Sequence, residues 1–298
     1  MNKICFSLVT LIAFTFFSCN KDEEIIGNVT PDSPEAALSY AVVEYIPAPG
    51  QYINDNITGF GDVYSQEEAS ALAEQRLSKN LYISLGAWGG YIIIKFKDSV
   101  YNTGDYDFEI GSNSFDTSNE PGIVWVMQDT NKNGKPDDIW YVLKGSDFGK
   151  EGYERNYWVT YKRPEPKRAT PWIDSNGESG DINWAGNYHS QDFYYPNWVK
   201  EDSYTLYGSR LPQKTYRDPE TGEWTNYPFD WGYADNMGVD FLENKFRNRF
   251  RISDAVTEDN QPANLSYIDF VKVQTAINGS AGWLGENSTE ITGFFIVE

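Results

Sequence analysis

Tyr91-Ile92-Ile93-Ile94-Lys95-Phe96 and Gly122-Ile123-Val124-Trp125-Val126-Met127 are continuous apolar runs of strand length. Six residues rich in β-branched and aromatic side chains fit a strand covered on both faces better than a helix. The same pattern recurs at 138–143, 157–161, 250–252, 268–274 and 292–297. An alternating run over 37–46 reads as a first strand, broken by Pro47-Ala48-Pro49-Gly50. Ser65-Gln66-Glu67-Glu68 is a capping box, and Ala69, Leu72, Ala73 and Leu77 share one helical face, which predicts a helix over 65–78. Short strands set off by Gly, Pro, Asn and Asp turns, with one N-terminal helix, predict an all-β sandwich. No segment repeats at a fixed period, which argues against a propeller.

The N-terminal end carries a different signal. Lys3 precedes an apolar run from Ile4 to Phe17, too short for a spanning helix and right for a secretory leader. The run stops at Phe16-Phe17-Ser18-Cys19, similar to a bacterial lipobox, so residues 1–18 are expected to be removed and Cys19 lipidated. The alternative is an ordinary leader that contains a cysteine. Residues 19–36 are polar, contain Pro31 and Pro34, and read as a tether; residues 37–298 read as one domain. Such a chain touches the membrane through its lipid alone.

Composition narrows the chemistry. Only two cysteines are present, Cys5 in the leader and Cys19, so the mature domain has no disulfide, thiol nucleophile or thiolate zinc site. His189 is the single histidine, which leaves Ser-His-Asp chemistry little to draw on. Imidazole is a competent metal ligand, but a lone histidine is more often a packing residue. The net charge of −20 repels nucleic acid. Ten Trp and 21 Tyr exceed what a core requires and point to a ligand face.

Two segments carry the binding expectations. Residues 165–240 lack clean periodicity and are crowded with aromatics, so they read as long loops; Trp172, Trp184, Tyr188, Trp198, Trp224 and Trp231 are the candidate ligand face. The competing reading packs these rings on one another. Trp88, Trp125 and Trp140, within or beside apolar runs, are expected in the core. Asp129-Thr130-Asn131-Lys132-Asn133-Gly134-Lys135-Pro136-Asp137-Asp138 places oxygen side chains at alternate positions before a glycine, as a calcium loop does. Asp129, Asn131, Asn133 and Asp137 or Asp138 would be ligands, with the Lys135 carbonyl, around a structural Ca2+. Tyr141 stands where an EF-hand has its closing Glu, and the plainer reading is a hairpin turn.

The stretches Ser84–Phe96, Asp107–Phe115, Ser118–Val124, Trp231–Asn236, Ile268–Ala276 and Gly282–Glu286, in this order, resemble the Bacteroidetes "cell surface protein" lipoproteins. That resemblance implies a jelly-roll-like sandwich on the outer face of the outer membrane, with no known catalyst. Asn20-Lys21-Asp22-Glu23-Glu24 looks like the acidic export signal of such lipoproteins. Members are often encoded beside TonB-dependent uptake systems, including those for corrinoids, so a corrinoid ligand and a TonB-dependent transporter partner are what the resemblance implies. A glycan suits the same aromatic composition. A glycosidase would need two carboxylates across a cleft, and 44 acidic residues make such a pair uninformative. With no P-loop, nucleophile elbow or zincin motif, a binding protein is the expectation rather than an enzyme.

Overall fold

The computed structural model describes residues 37–282 and 285–297. The expected leader, Cys19 and the tether lie outside the described residues, as do Trp283 and Leu284. In chain order the first strands are β1 (Tyr40–Ile46), β2 (Ile83–Ser84), β3 (Tyr91–Tyr101), β4 (Phe108–Gly111), β5 (Gly122–Met127) and β6 (Trp140–Leu143). Then come β7 (Glu154–Lys162), β8 (Thr170–Asp174), β9 (Ser179–Ile182), β10 (Ser203–Arg210), β11 (Thr215–Arg217) and β12 (Trp224–Asn226). The last are β13 (Phe241–Leu242), β14 (Arg247–Phe250), β15 (Ala255–Val256), β16 (Tyr267–Thr275), β17 (Glu290–Ile291) and β18 (Gly293–Ile296). A single α-helix among the described residues, α1 (Gln66–Ser78), separates β1 from β2.

The main sheet is antiparallel in the order β1-β3-β16-β5-β6-β15. Its pleat turns Ile92, Ile94, Phe96, Val124, Val126 and Val273 to one face. There they meet Phe108, Ile110, Phe250 and Phe294 of a second sheet, β13-β14-β4-β18. The alternate residues Ile93, Met127 and Phe270 are also buried, on the other face. Both faces of the central strands are covered, which is why their sequences read as unbroken apolar runs. The result is a β-sandwich of antiparallel sheets without a closed barrel.

Helix α1 begins as its capping box requires. Ser65 Oγ accepts the Glu68 N–H at 3.2 Å, and Glu68 Oε2 accepts the Ser65 N–H at 3.2 Å. Ala69, Ala73 and Leu77 are buried in the main core, with Leu72 half-buried beside them. Replacing Ser65 by alanine should cost about 1 kcal/mol, read as a lower urea midpoint at unchanged slope. Among the described residues no helix is long and apolar enough to cross a membrane.

The expectation of loops over 165–240 needs correction. That segment contributes β8 to β12, and β10-β7-β8-β9 forms a third antiparallel sheet. Tyr157, Val159, Tyr161 and Leu206 of this sheet pack with Trp88, Tyr194 and Tyr195 in a second core. Its strand β7 answers to the run expected at 157–161, but β8, β9 and β10 escaped notice because their polar faces are long and their apolar faces short: in β10 only Leu206 and Ser209 are buried. Two boundaries also move. The strand expected at 250–252 ends at Phe250, and Ile252 opens a 3-10 turn. The one expected at 138 starts at Trp140, because Asp138 is occupied in the preceding loop.

Candidate functional site

The site is built where β10 comes down on the outer face of the main sheet. A Cβ on Gly208 would fall 1.8 Å from Gln274 Oε1, so any larger residue would displace the Gln274 amide. Gln274 Nε2 then donates to Tyr207 O at 2.9 Å and to Gly89 O at 2.8 Å, tying β10 to β16. Antiparallel register sets Tyr207 opposite Trp158 on the third sheet. On the main sheet it sets Lys272 opposite Trp125 and Met127 opposite Trp140. Trp125, Trp140, Trp158, Tyr207, Arg155 and Lys272 together line a cleft of about 320 Å3, with Asn156 at the same wall.

Two of these residues were expected in the core. Trp88 is indeed fully buried, but Trp125 and Trp140 are only half-buried and line the cleft. An unbroken apolar run hides which residues face which side. The pleat sends Val124 and Val126 inward and leaves Trp125 on the outer face, where its ring is the cleft wall.

The polar groups are arranged unequally. Arg155 is occupied: its guanidinium donates to Glu258 O, Asn260 Oδ1 and Thr257 O. Lys272 Nζ instead sits 4.2 Å from the centre of the Tyr91 ring and 5.3 Å from that of Trp125, a cation held against two π faces. Burial pushes its amine down to about 8, and the charge of Glu44 opposes that shift. Tyr91 donates its hydroxyl to Glu44 Oε2 at 2.9 Å and is itself held well above the usual phenol range, chiefly by burial. Tyr157, at the back of the cleft, donates to Asp174 Oδ2 and is likewise raised by burial.

The loop between β5 and β6 adjoins the cleft, since Trp140 Nε1 donates to Pro136 O at 3.4 Å. Within it Asp129 is buried and accepts the N–H groups of Asn133 at 3.1 Å and Gly134 at 2.9 Å. Asn131 Oδ1 takes the Asn133 N–H, and Asn133 Oδ1 the Lys135 N–H. Asp137 receives the amides of both Asn131 and Asn133, which hold its carboxyl below the usual range. Asp129, Asn131, Asn133 and Asp137 are thus tied into one hydrogen-bonded loop, with the two Asn turning amide nitrogens to Asp137 and the Asp129 carboxylate filled by backbone N–H groups. Asp138 does not join them: it accepts from Thr130 N and Thr130 Oγ1 and staples the loop base. The side chain of Lys135 is exposed, so any part it takes is through its backbone. Lys95 Nζ lies 3.8 Å from Asp129 Oδ2 and supplies a positive charge at the loop mouth.

The six aromatics expected to form one face are scattered. Trp198 is 6% exposed and belongs to the main core. Trp172 and Trp184 pack against the second core, with Trp184 Nε1 bound to Gln191 O. Trp224, on β12, lies under the Arg217 guanidinium, and Trp231 lines a separate cleft with Tyr106 and Arg249. Tyr188 is 71% exposed. Crowding along the sequence did not translate into a shared surface, because the segment threads through two sheets and two cores. His189 is half-buried, its Nδ1 3.9 Å from Asp55 Oδ2 and its ring edge-on to Tyr52. That is the setting of a packing residue.

A second acidic constellation was not legible in the sequence. Oxygens of Glu120, Asp235 and Glu290 lie within 4.8 Å of one another, with Asp235 and Glu290 buried. Burial raises the Glu290 carboxyl well above its ordinary value, and the charges of Glu120 and Asp235 add to that. Glu286, four residues earlier, is fully enclosed and pushed up to about 7 by burial. Its Oε1 accepts the Gln51 N–H at 2.7 Å, while Oε2 has no hydrogen-bond partner among the described residues. Residues so far apart in the chain carry no local spacing signal. No protein-family model matches the chain, and no curated protein matches it.

Proposed function

We propose that this protein is a surface-anchored capture protein whose cleft binds a saccharide. The observation that carries the reading is the convergence of Trp125, Trp140, Trp158 and Tyr207 on one cleft, beside Asn156, Arg155 and Lys272. Sugar rings present C–H faces that stack on indole and phenol rings, while amide and cationic groups orient the hydroxyls. Tyr207 is 67% exposed, a large ring offered to solvent for which the domain's own packing has no use. The volume of about 320 Å3 stands at the small end of ligand sites and suits a short sugar segment. A corrinoid is a broad disc that would overhang such a cleft, so the glycan reading comes first. The apolar leader and Cys19 support lipid anchoring at the outer membrane surface, and a TonB-dependent transporter remains the proposed partner.

Calorimetric titration of the protein with a panel of oligosaccharides and with cyanocobalamin tests this. Saccharide binding with no heat from cyanocobalamin is the expected result. Tight one-to-one binding of cyanocobalamin alone would replace the glycan by a corrinoid.

The loop of Asp129, Asn131, Asn133 and Asp137 is proposed to hold a structural Ca2+, fixing the segment that supports Trp140. The ion would supply charge and rigidity, not chemistry. Calcium should then raise the melting temperature, with the rise abolished in Asp129→Ala and retained in Glu290→Gln. Loss of the rise in Glu290→Gln alone would move the ion to the Glu120–Asp235–Glu290 cluster.

A further inference from the structure

The charge of the cleft is opposite to that of the chain. The protein carries 44 acidic residues against 24 basic ones, yet the cleft is lined by Arg155 and Lys272 and by no Asp or Glu. Arg155 already has three backbone and side-chain acceptors. Lys272 has none: among the described residues no carboxylate lies within 4 Å of its Nζ, and its contacts are the rings of Tyr91 and Trp125. Glu44, the acid whose charge reaches it, is engaged by the Tyr91 hydroxyl. A recessed ammonium costs desolvation, and here the charge of Glu44 offsets that cost only in part.

We propose that the cleft takes a saccharide bearing an anionic group, a carboxylate or a sulfate, received by Lys272 Nζ while the sugar rings lie on the surrounding indoles. This rests on the saccharide reading and names the substrate class of that site. Carboxylate and sulfate share the chemistry needed, several oxygen acceptors around one negative charge. Neutral sugars would add no counter-charge to the one that Glu44 supplies, so the site discriminates by what it lacks as much as by what it offers.

The preference depends on pH in a definite direction. Lys272 accepts an anion only when protonated, and burial brings its amine to about 8 in the free protein. Affinity for the acidic ligand should therefore hold at pH 6 to 7 and decline as pH rises past about 8. Of the groups facing it, the phenols of Tyr91 on β3 and Tyr157 on β7 are raised well above that window by burial. Arg155 on β7 and the exposed Tyr207 on β10 also border the cleft. Glu44 on β1 is held by the Tyr91 hydroxyl, and Asp174 lies behind Tyr157.

The test is titration calorimetry of the protein with oligogalacturonate, its neutral methyl ester, and a sulfated galacto-oligosaccharide, at pH 6.5 and 9. The expected result is that one or both acidic ligands bind about 10- to 100-fold tighter than the ester at pH 6.5. The gap should narrow at pH 9, and Lys272→Met should abolish it while Lys272→Arg retains it at both pH values. The ester comparison needs no variant, so it decides even if Lys272→Met fails to fold. Equal binding of ester and acids would overturn the anionic preference and leave saccharide capture standing. If no acidic or neutral saccharide binds, both fall together. The relative strength of the carboxylate and sulfate arms identifies the group.

Discussion

The double replacement Trp158→Ala, Tyr207→Ala should remove saccharide binding and leave the fold nearly intact. The two rings stand opposite each other across β7 and β10 and form one wall of the cleft. Tyr207 is exposed and Trp158 half-buried, so their loss opens no sealed cavity. Aromatic anchors of this kind carry about 2–4 kcal/mol each when a ligand lies on them, enough to weaken binding a hundredfold or more. Thermal melting should shift by only a few degrees. Two controls sharpen the expectation. Trp172→Ala and Trp231→Ala should leave affinity unchanged, because neither ring borders this cleft. Trp198→Ala should cost about 3–5 kcal/mol of stability through loss of core packing. An affinity lost with Trp231 and kept without Trp158 and Tyr207 would move the site to the cleft beside Tyr106.

Glu286→Gln should stabilise the protein above neutral pH. Burial raises this carboxyl from 4.5 to about 7, so the folded state holds a proton that the unfolded chain releases. Between those values the native form binds more protons than the unfolded form, and stability falls as pH rises. The span of pKa amounts to about 3 kcal/mol by pH 8, present as stability at pH 4 and lost at pH 8. Glutamine keeps the acceptor that Gln51 N–H uses and carries no charge to bury. The variant should match the wild type near pH 4 and exceed it by about 2–3 kcal/mol at pH 8. Urea denaturation of both proteins across this range measures the difference, and the common effect of the other carboxylates cancels. A gap that does not grow with pH would show that Glu286 is ionised in the folded state at neutral pH.

The parts of the structure that were legible in the sequence share one property: a signal carried by neighbours in the chain. Ser65 and Glu68 cap α1 within one turn, and the runs at Tyr91 and Gly122 declare buried strands by themselves. The oxygen alternation at Asp129, Asn131 and Asn133 corresponds to side chains that accept the N–H groups of their own loop, while Asp138 turns to Thr130. What could not be read depends on pairing between distant segments. Trp125 looks like core until register sets Lys272 across from it on the outer face. Gly208 signals nothing until β10 crosses Gln274. Beyond β7, the third sheet was concealed because segments such as Ser203-Tyr204-Thr205-Leu206 bury so little apolar surface. The scattering of Trp172, Trp184, Trp198, Trp224 and Trp231 teaches the converse, that local abundance of aromatics is not a shared face.

The most direct measurement is 15N–1H NMR of the ten indole N–H groups during titration with oligogalacturonate, each resonance identified by its own phenylalanine variant. The predicted result is saturable movement of the Trp125, Trp140 and Trp158 indoles, with Trp172, Trp184, Trp224 and Trp231 unmoved. Saturable movement confined to that second group would contradict the cleft as the binding site. No movement with any saccharide of the panel would contradict saccharide capture itself.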